Sequence, residues 1–297
     1  MASDFSKGLT ISTLGVLVIS PDSLLIRLIG AETMTLLFWR GLISGTIMLL
    51  IFATVMEKKP LAAIRSLGLP GAAMAVIFCI GNISFIYSVT HTSVANSLFI
   101  TSTAPVFAAL LSRLVLKEPI SRRTVWTIVA AMCGVGVIAL GSIDNATNHS
   151  EGDAAALITA LALACNFTIA RAHRHVSMVP ATGIGYLISS VLSFLVAPTL
   201  VLPEGSLPWL LILCVIVVPI GFSCLTTGPR YLPAPDVSLI VLLEAIFGPL
   251  LVWLILSEYP GHLALVGGGI VLSAMVISNS LALRRVHRVD KSPGPVQ

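Results

Sequence analysis

Charge is what this chain has least of: 10% of its 297 residues are Asp, Glu, Lys or Arg, against about 25% in a soluble globular domain. Long polar stretches are missing as well. No separate water-soluble domain can therefore be assembled, and any activity must lie among apolar segments. Paired thiols are absent: Cys79, Cys133, Cys165, Cys214 and Cys224 make no CxxC pair and have no histidine at metal spacing. They read as small apolar filler, and no metal is expected. No GxxxxGK[ST] run occurs, so ATP does not drive the chain directly. An intramembrane enzyme would need a catalytic constellation, yet HExxH, GxSxG and paired-aspartate motifs are all missing. No cofactor is called for.

What is present is apolar length, since 56% of the residues are hydrophobic. A bilayer core of roughly 30 Å needs about 20 apolar residues per helix. Runs punctuated by Pro, Gly and charge predict ten spans, near 9–28, 33–56, 67–89, 93–116, 124–142, 153–171, 180–202, 206–228, 235–256 and 262–283. Backbone groups in lipid must be satisfied internally, so such runs are helices unless they close a barrel. Barrel strands would alternate apolar and polar residues, and these do not. Pro21-Asp22 follows the first run without a small-residue cleavage site, so that run is kept as the first helix and not as a signal peptide.

The net charge of +4 is spread over short connections, which speaks of topology and not of nucleic acid. Fifteen of the seventeen Lys and Arg fall at the N-terminus, in the even-numbered loops or in the C-terminal tail; only Arg27 and Arg40 do not. The odd-numbered connections carry Glu32, Asp144, Glu151, Asp153, Glu204 and Glu258. Because loops on the cytoplasmic side are rich in Lys and Arg, both termini are expected there, which requires an even helix count. Asn145-Ala-Thr and Asn148-His-Ser match glycosylation acceptors on the opposite side. The short loops fit a bacterial inner-membrane protein better.

An internal repeat accompanies the spans. At an offset of 140 residues, Ile100, Phe107, Leu110, Leu111, Leu114, Leu116 and Glu118 meet Ile240, Phe247, Leu250, Leu251, Leu254, Leu256 and Glu258. These segments are the fourth and ninth spans. Five helices separate them, and an odd interval reverses direction, so the copies run oppositely. The expectation is an all-α membrane protein of ten transmembrane helices in two inverted five-helix repeats, 1–142 and 143–297, forming one unit. Inverted halves that rock about a central site are a transporter architecture.

With Phe38-Trp39-Arg40, Ala104-Pro105, Leu116-Lys117-Glu118 and Gly134-Val-Gly136 in the first half, and Leu243-Glu244, Leu256-Ser257-Glu258 and Gly267-Gly-Gly269 in the second, the chain resembles the drug/metabolite transporter superfamily. Within it the likeness is to EamA-type ten-helix permeases. That resemblance implies a central cavity between the halves and export of amino acids, aromatic ones included, or other small metabolites. One departure stands out: where the second copy of that family commonly has Glu-Pro, this chain has Glu244-Ala245, and its proline comes later, at Pro249. A shifted kink is expected.

Ionisable groups at helix centres cost at least about 2.5 to 3.5 kcal/mol on insertion scales and need a partner, an aqueous cavity or a function. Asp22 and Arg40 share a depth on adjacent antiparallel helices and can pair, either for packing or to meet a proton or a substrate carboxylate. Glu244 has no basic residue in its own helix. It reads as a contact for a substrate ammonium or a proton, or as a neutral structural group. Phe78, Asn82 and Phe85 share one face at i, i+4 and i+7, as a cavity wall or as packing. Asn96, Thr101, Ser102 and Thr103 precede Pro105, whose absent N–H frees a carbonyl that hydroxyls can satisfy while lining the site, or they serve close helix contacts. Asn166 and Thr226 are further cavity candidates. Pro219, Gly221, Gly228 and Pro229 read as hinges. Glu118 and Glu258 read as caps for the helices that follow. His173 and His175 are too few for a metal site and read as solvated charge partners.

Three classes compete: secondary transporter, intramembrane enzyme, and non-transporting scaffold or receptor. The repeat, the midplane glutamate and the minimal loops together favour an exporter of amino acids or similar small metabolites working by alternating access. Efflux of hydrophobic cationic drugs, or carriage of a nucleotide sugar, is the alternative. Expected partners are the small-molecule substrate and the bilayer, with proton coupling and a homodimer left open.

Overall fold

The structure, a computed structural model, describes residues 2–56, 60–92, 94–140, 150–257 and 262–290. Among these, every regular element is helical. In chain order the long helices are α1 (Asp4–Ile29), α2 (Thr33–Thr54), α3 (Gly68–His91) and α4 (Ser97–Leu116), then α5 (Arg122–Leu140). They continue with α6 (Glu151–Ala172), α7 (Val179–Val196), α8 (Leu207–Arg230) and α9 (Ala234–Ile255), and end with α10 (His262–Asp290). Eight of them are long and apolar enough to cross a membrane, and α10 holds a shorter apolar stretch, Leu265–Ser278. Leu195, Val196, Leu254 and Val276 lie open on the outer surface. Apolar exposure on this scale is at home only in a hydrocarbon solvent.

The helices pack as two equivalent halves. α2 lies against α7, α4 against α9 and α5 against α10, while α3 meets α6 and α1 meets α8. Exchanging α1–α5 with α6–α10 leaves α2–α7, α4–α9 and α5–α10 as they are and turns α3–α6 into α8–α1. The backbone repeats too. A helix runs Val94–Thr101, breaks, and resumes at Ala104; 140 residues later a helix runs Ala234–Val241, breaks, and resumes at Glu244. At each break the chain tightens to i→i−3 bonds, as in Thr103 N to Ile100 O and Leu243 N to Ile240 O, both 3.0 Å.

Several expectations need correction. The absence of proline at Ala245 does not move the kink to Pro249, because the second break sits at Leu242-Leu243, in register with the first. Backbone tightening, not proline, makes it. α1 is also broken, at Ser20-Pro21, so Asp22 opens a second half-helix, Asp22–Ile29. α7 stops at Val196 and not near 202; Ala197 precedes Pro198, which disfavours helical backbone there, and it is extended. Ahead of Pro219 the helix widens into a π stretch over Ile212–Val217 that leads into the proline. Gly228–Arg230 forms a 3₁₀ turn at the end of α8. Glu118 caps nothing: Ser121 Oγ accepts from Thr124 N at 3.0 Å at the start of α5. Glu258, Asn145 and Asn148 lie outside the described residues.

Small residues let the halves touch. A Cβ on Gly41 of α2 would lie 2.5 Å from Tyr186 O and 2.8 Å from Ser190 Cβ of α7. Across the same crossing Ser190 Oγ donates to Phe38 O at 2.9 Å. Without a hydrophobic drive between helices in lipid, such close backbone approach and interhelical bonding supply the cohesion. Gly134 of α5 does the same against Gly267 of α10, where a Cβ would meet the carbonyl at 2.8 Å.

The connections α2–α3, α4–α5, α6–α7 and α8–α9, with Arg65, Lys117, Arg174 and Arg230 in or beside them, share one end of the bundle, termed the basic face. Two ion pairs cross between the halves there. Arg123 of α5 meets Asp236 of α9 at 3.0 Å, and Arg171 of α6 meets Glu118 at 3.0 Å.

Candidate functional site

Broken helices place polar backbone and charged side chains inside the bundle, and the site grows from that. Asp22, first residue of the second half of α1, faces Arg40 of α2. The guanidinium donates through both terminal nitrogens, Nη1 to Oδ1 at 2.6 Å and Nη2 to Oδ2 at 2.8 Å. Both side chains are fully buried. A bidentate fork is the geometry that best offsets the desolvation of two charges. The hydroxyl of Tyr186 stands beside the guanidinium, though neither it nor Arg40 Nε makes a hydrogen bond of good geometry among the described residues.

Beside this pair lies a cavity of about 70 Å³ whose wall includes Asp22, Arg40, Phe78, Asn82, Phe85, Asn166 and Glu244. Helices of both halves contribute. Glu244 is the first residue of the resumed half of α9 and has neither hydrogen bond nor ion pair among the described residues. Asn82 Nδ2 donates to Ser189 Oγ at 3.0 Å. Asn166 Oδ1 and Thr101 Oγ1 are buried and unpartnered. Phe78 forms edge contacts with Tyr186 at 4.8 Å and with Phe222 at 5.3 Å between ring centroids. The wall is thus mostly apolar, with one fixed ion pair, one unpaired carboxylate and two idle polar oxygens. Small-molecule sites run to roughly 300–1,000 Å³. At about 70 Å³ the cavity is smaller than that range.

Of the ten candidates read from sequence, seven reach this cavity. Ser102 does not: its Oγ donates to Leu98 O at 2.6 Å, and it lines a side crevice of about 20 Å³ shared with Glu244. That hydroxyl satisfies a carbonyl at the break, as does Thr103 Oγ1 with Ile100 O at 2.7 Å. Thr226 sits within hydrogen-bond distance of Thr182, 3.1 Å between hydroxyl oxygens, and ties α8 to α7 away from the wall. The side chain of Asn96 lies outside the described residues. Sequence reasoning missed Thr159 and Phe222. Thr159, Leu163 and Asn166 carry the same i, i+4, i+7 spacing on α6 that marked Phe78, Asn82 and Phe85 on α3, so a signal for Thr159 was there. Phe222 carried none, being one apolar residue among many on α8.

Comparison with known proteins agrees with this geometry. The model of the EamA-like transporter family matches twice, over residues 8–140 and 150–280. No curated protein matches. A solved structure described only as "Crystal structure of protein" superposes with a TM-score of 0.78 at 16% identity, covering 95% of this chain and 99% of the other. At that identity the likeness shows the fold.

Proposed function

Because the chain belongs to the EamA-like transporter family, whose members move small molecules across membranes, we propose that it is a secondary transporter exporting amino acids or similar small metabolites by alternating access. The observation that carries this reading is the unpaired Glu244 carboxylate on the wall of a cavity shared by both halves. Asp22 is already paired with Arg40, whereas Glu244 is the carboxyl left to meet a cargo ammonium or a proton. Glu244, Asn166 Oδ1 and Thr101 Oγ1 all line the cavity without a hydrogen-bond partner among the described residues and would accept from a cargo ammonium. The cargo's apolar part would rest on Phe78, Phe85 and Phe222. Asp22 and Arg40 hold the first half's broken helix in place and stand near a cargo carboxylate. The matched halves supply two equivalent arrangements, and rocking between them both enlarges the cavity and exchanges its access.

Hydrophobic organic cations are the second reading, favoured by the same carboxylate together with aromatic faces. Exchange in proteoliposomes separates the two. Vesicles holding the chain and loaded with unlabelled amino acid should accumulate labelled amino acid by counterflow, with aromatic ones fastest. Counterflow with hydrophobic cations only would reject the amino-acid reading.

A further inference from the structure

On the basic face lies a larger cavity, about 400 Å³, that transport through the centre does not use. It forms where the end of α2, the short helix Pro60–Ser66, the turn between α6 and α7, and the 3₁₀ turn Gly228–Arg230 converge. Its polar wall is Ser66, His175, Ser177 and Arg230; Phe52 and Ala63 close its apolar side. The lining holds a guanidinium, an imidazole and the hydroxyl of Ser177, while Ser66 Oγ donates to Ala63 O at 2.7 Å, and there is not one carboxylate among the described residues. Arg230 is held in place, its Nε donating to Arg174 O at 3.0 Å. Ser177 Oγ is buried and makes no hydrogen bond among the described residues. Donors gathered without an acid leave an anion as the missing partner, and a phosphate oxygen would satisfy Ser177.

We propose that this cavity binds the phosphate of an anionic phospholipid headgroup. The apolar surroundings favour a lipid over a free phosphate. Helix Pro60–Ser66 exposes Leu61, and α3 opens with Leu69 almost fully exposed, so acyl chains have a surface to lie on beside the polar cavity. Lys58 and Lys59 immediately precede that helix in the sequence. Basic pockets between helix ends on the Lys- and Arg-rich side of a membrane protein are where anionic headgroups collect.

The experiment is a melting series on the full chain in neutral detergent, followed by tryptophan fluorescence. Phosphatidylglycerol is expected to raise the midpoint by several degrees, as a ligand that binds only the folded state must. Phosphatidylcholine at the same ratio should not. Arg230→Gln combined with His175→Gln is expected to remove at least half of the shift, and Ser177→Ala, which leaves the Arg174 contact intact, should reduce it in a chain that folds normally. An equal response to phosphatidylcholine, or an undiminished response in both variants, overturns the proposal. A variant-sensitive shift produced equally by glycerol phosphate overturns the lipid as the source and leaves a soluble phosphate in its place.

Discussion

Lys117 and Ser257 stand 140 residues apart and have the same backbone: φ is 55° at the first and 56° at the second, each at the end of the second half of a broken helix. Among the described residues they are the only non-glycine residues with positive φ. A left-handed residue with a Cβ costs roughly 1–2 kcal/mol. Glycine carries no such penalty. Ser257→Gly should therefore raise thermal stability by about 1 kcal/mol, and Ser257→Val should lower it by more. Melting of both variants checks the sign; a destabilised glycine variant would mean that the turn is held by the serine itself.

Breaking the Asp22–Arg40 fork from one side leaves a buried charge alone. Asp22→Asn or Arg40→Gln should each cost about 3–5 kcal/mol, whereas the double change Asp22→Leu with Arg40→Met should recover much of it. Thermal melts give the stability, and counterflow on the double variant gives the function. Full transport by the double variant would reduce the pair to a packing device.

Glu244 differs because it has no partner to strand. Glu244→Gln should melt within a few degrees of the parent yet slow amino-acid counterflow by about tenfold, equivalent to about 1.4 kcal/mol. Unaltered counterflow would remove Glu244 from the cargo site.

Gly41 tests the contact between the halves. Gly41→Ala should destabilise by about 1–3 kcal/mol, as overpacking does, because its Cβ has nowhere to go against Tyr186 O. Gly136→Ala is the control, since nothing lies within 4 Å of the added carbon. Equal melting of the two variants would show that α2 and α7 adjust freely.

The ion pairs Arg123–Asp236 and Arg171–Glu118 join the halves on the basic face, and the proposed alternating access requires them to part when that face opens. With Asp236→Asn and Glu118→Gln combined, a reporter cysteine placed at the buried Ser112 should react faster with a polar thiol reagent. The background should lack the five native cysteines. Unchanged labelling would deny the pairs any part in closing that face.

The amino-acid sequence alone settled the solvent, the helices and the repeat. Each depends on short-range patterns: apolar run length fixes a span, and the 140-residue correspondence of Ile100 to Glu118 with Ile240 to Glu258 fixes the two copies. Even the pairing of Asp22 with Arg40 was legible, since depth along adjacent antiparallel helices is a matter of counting. Tertiary structure decided the rest. Which oxygens stay idle depends on where neighbouring hydroxyls fall: Ser102 turned back onto Leu98 O and Thr226 was taken by Thr182, while Asn166 was left facing the cavity. The kink at Leu242-Leu243 was hidden because backbone tightening needs no proline to announce it. Phe222 entered the wall because helices from opposite halves converge there, and side chains brought together across the bundle leave no trace in the order of residues.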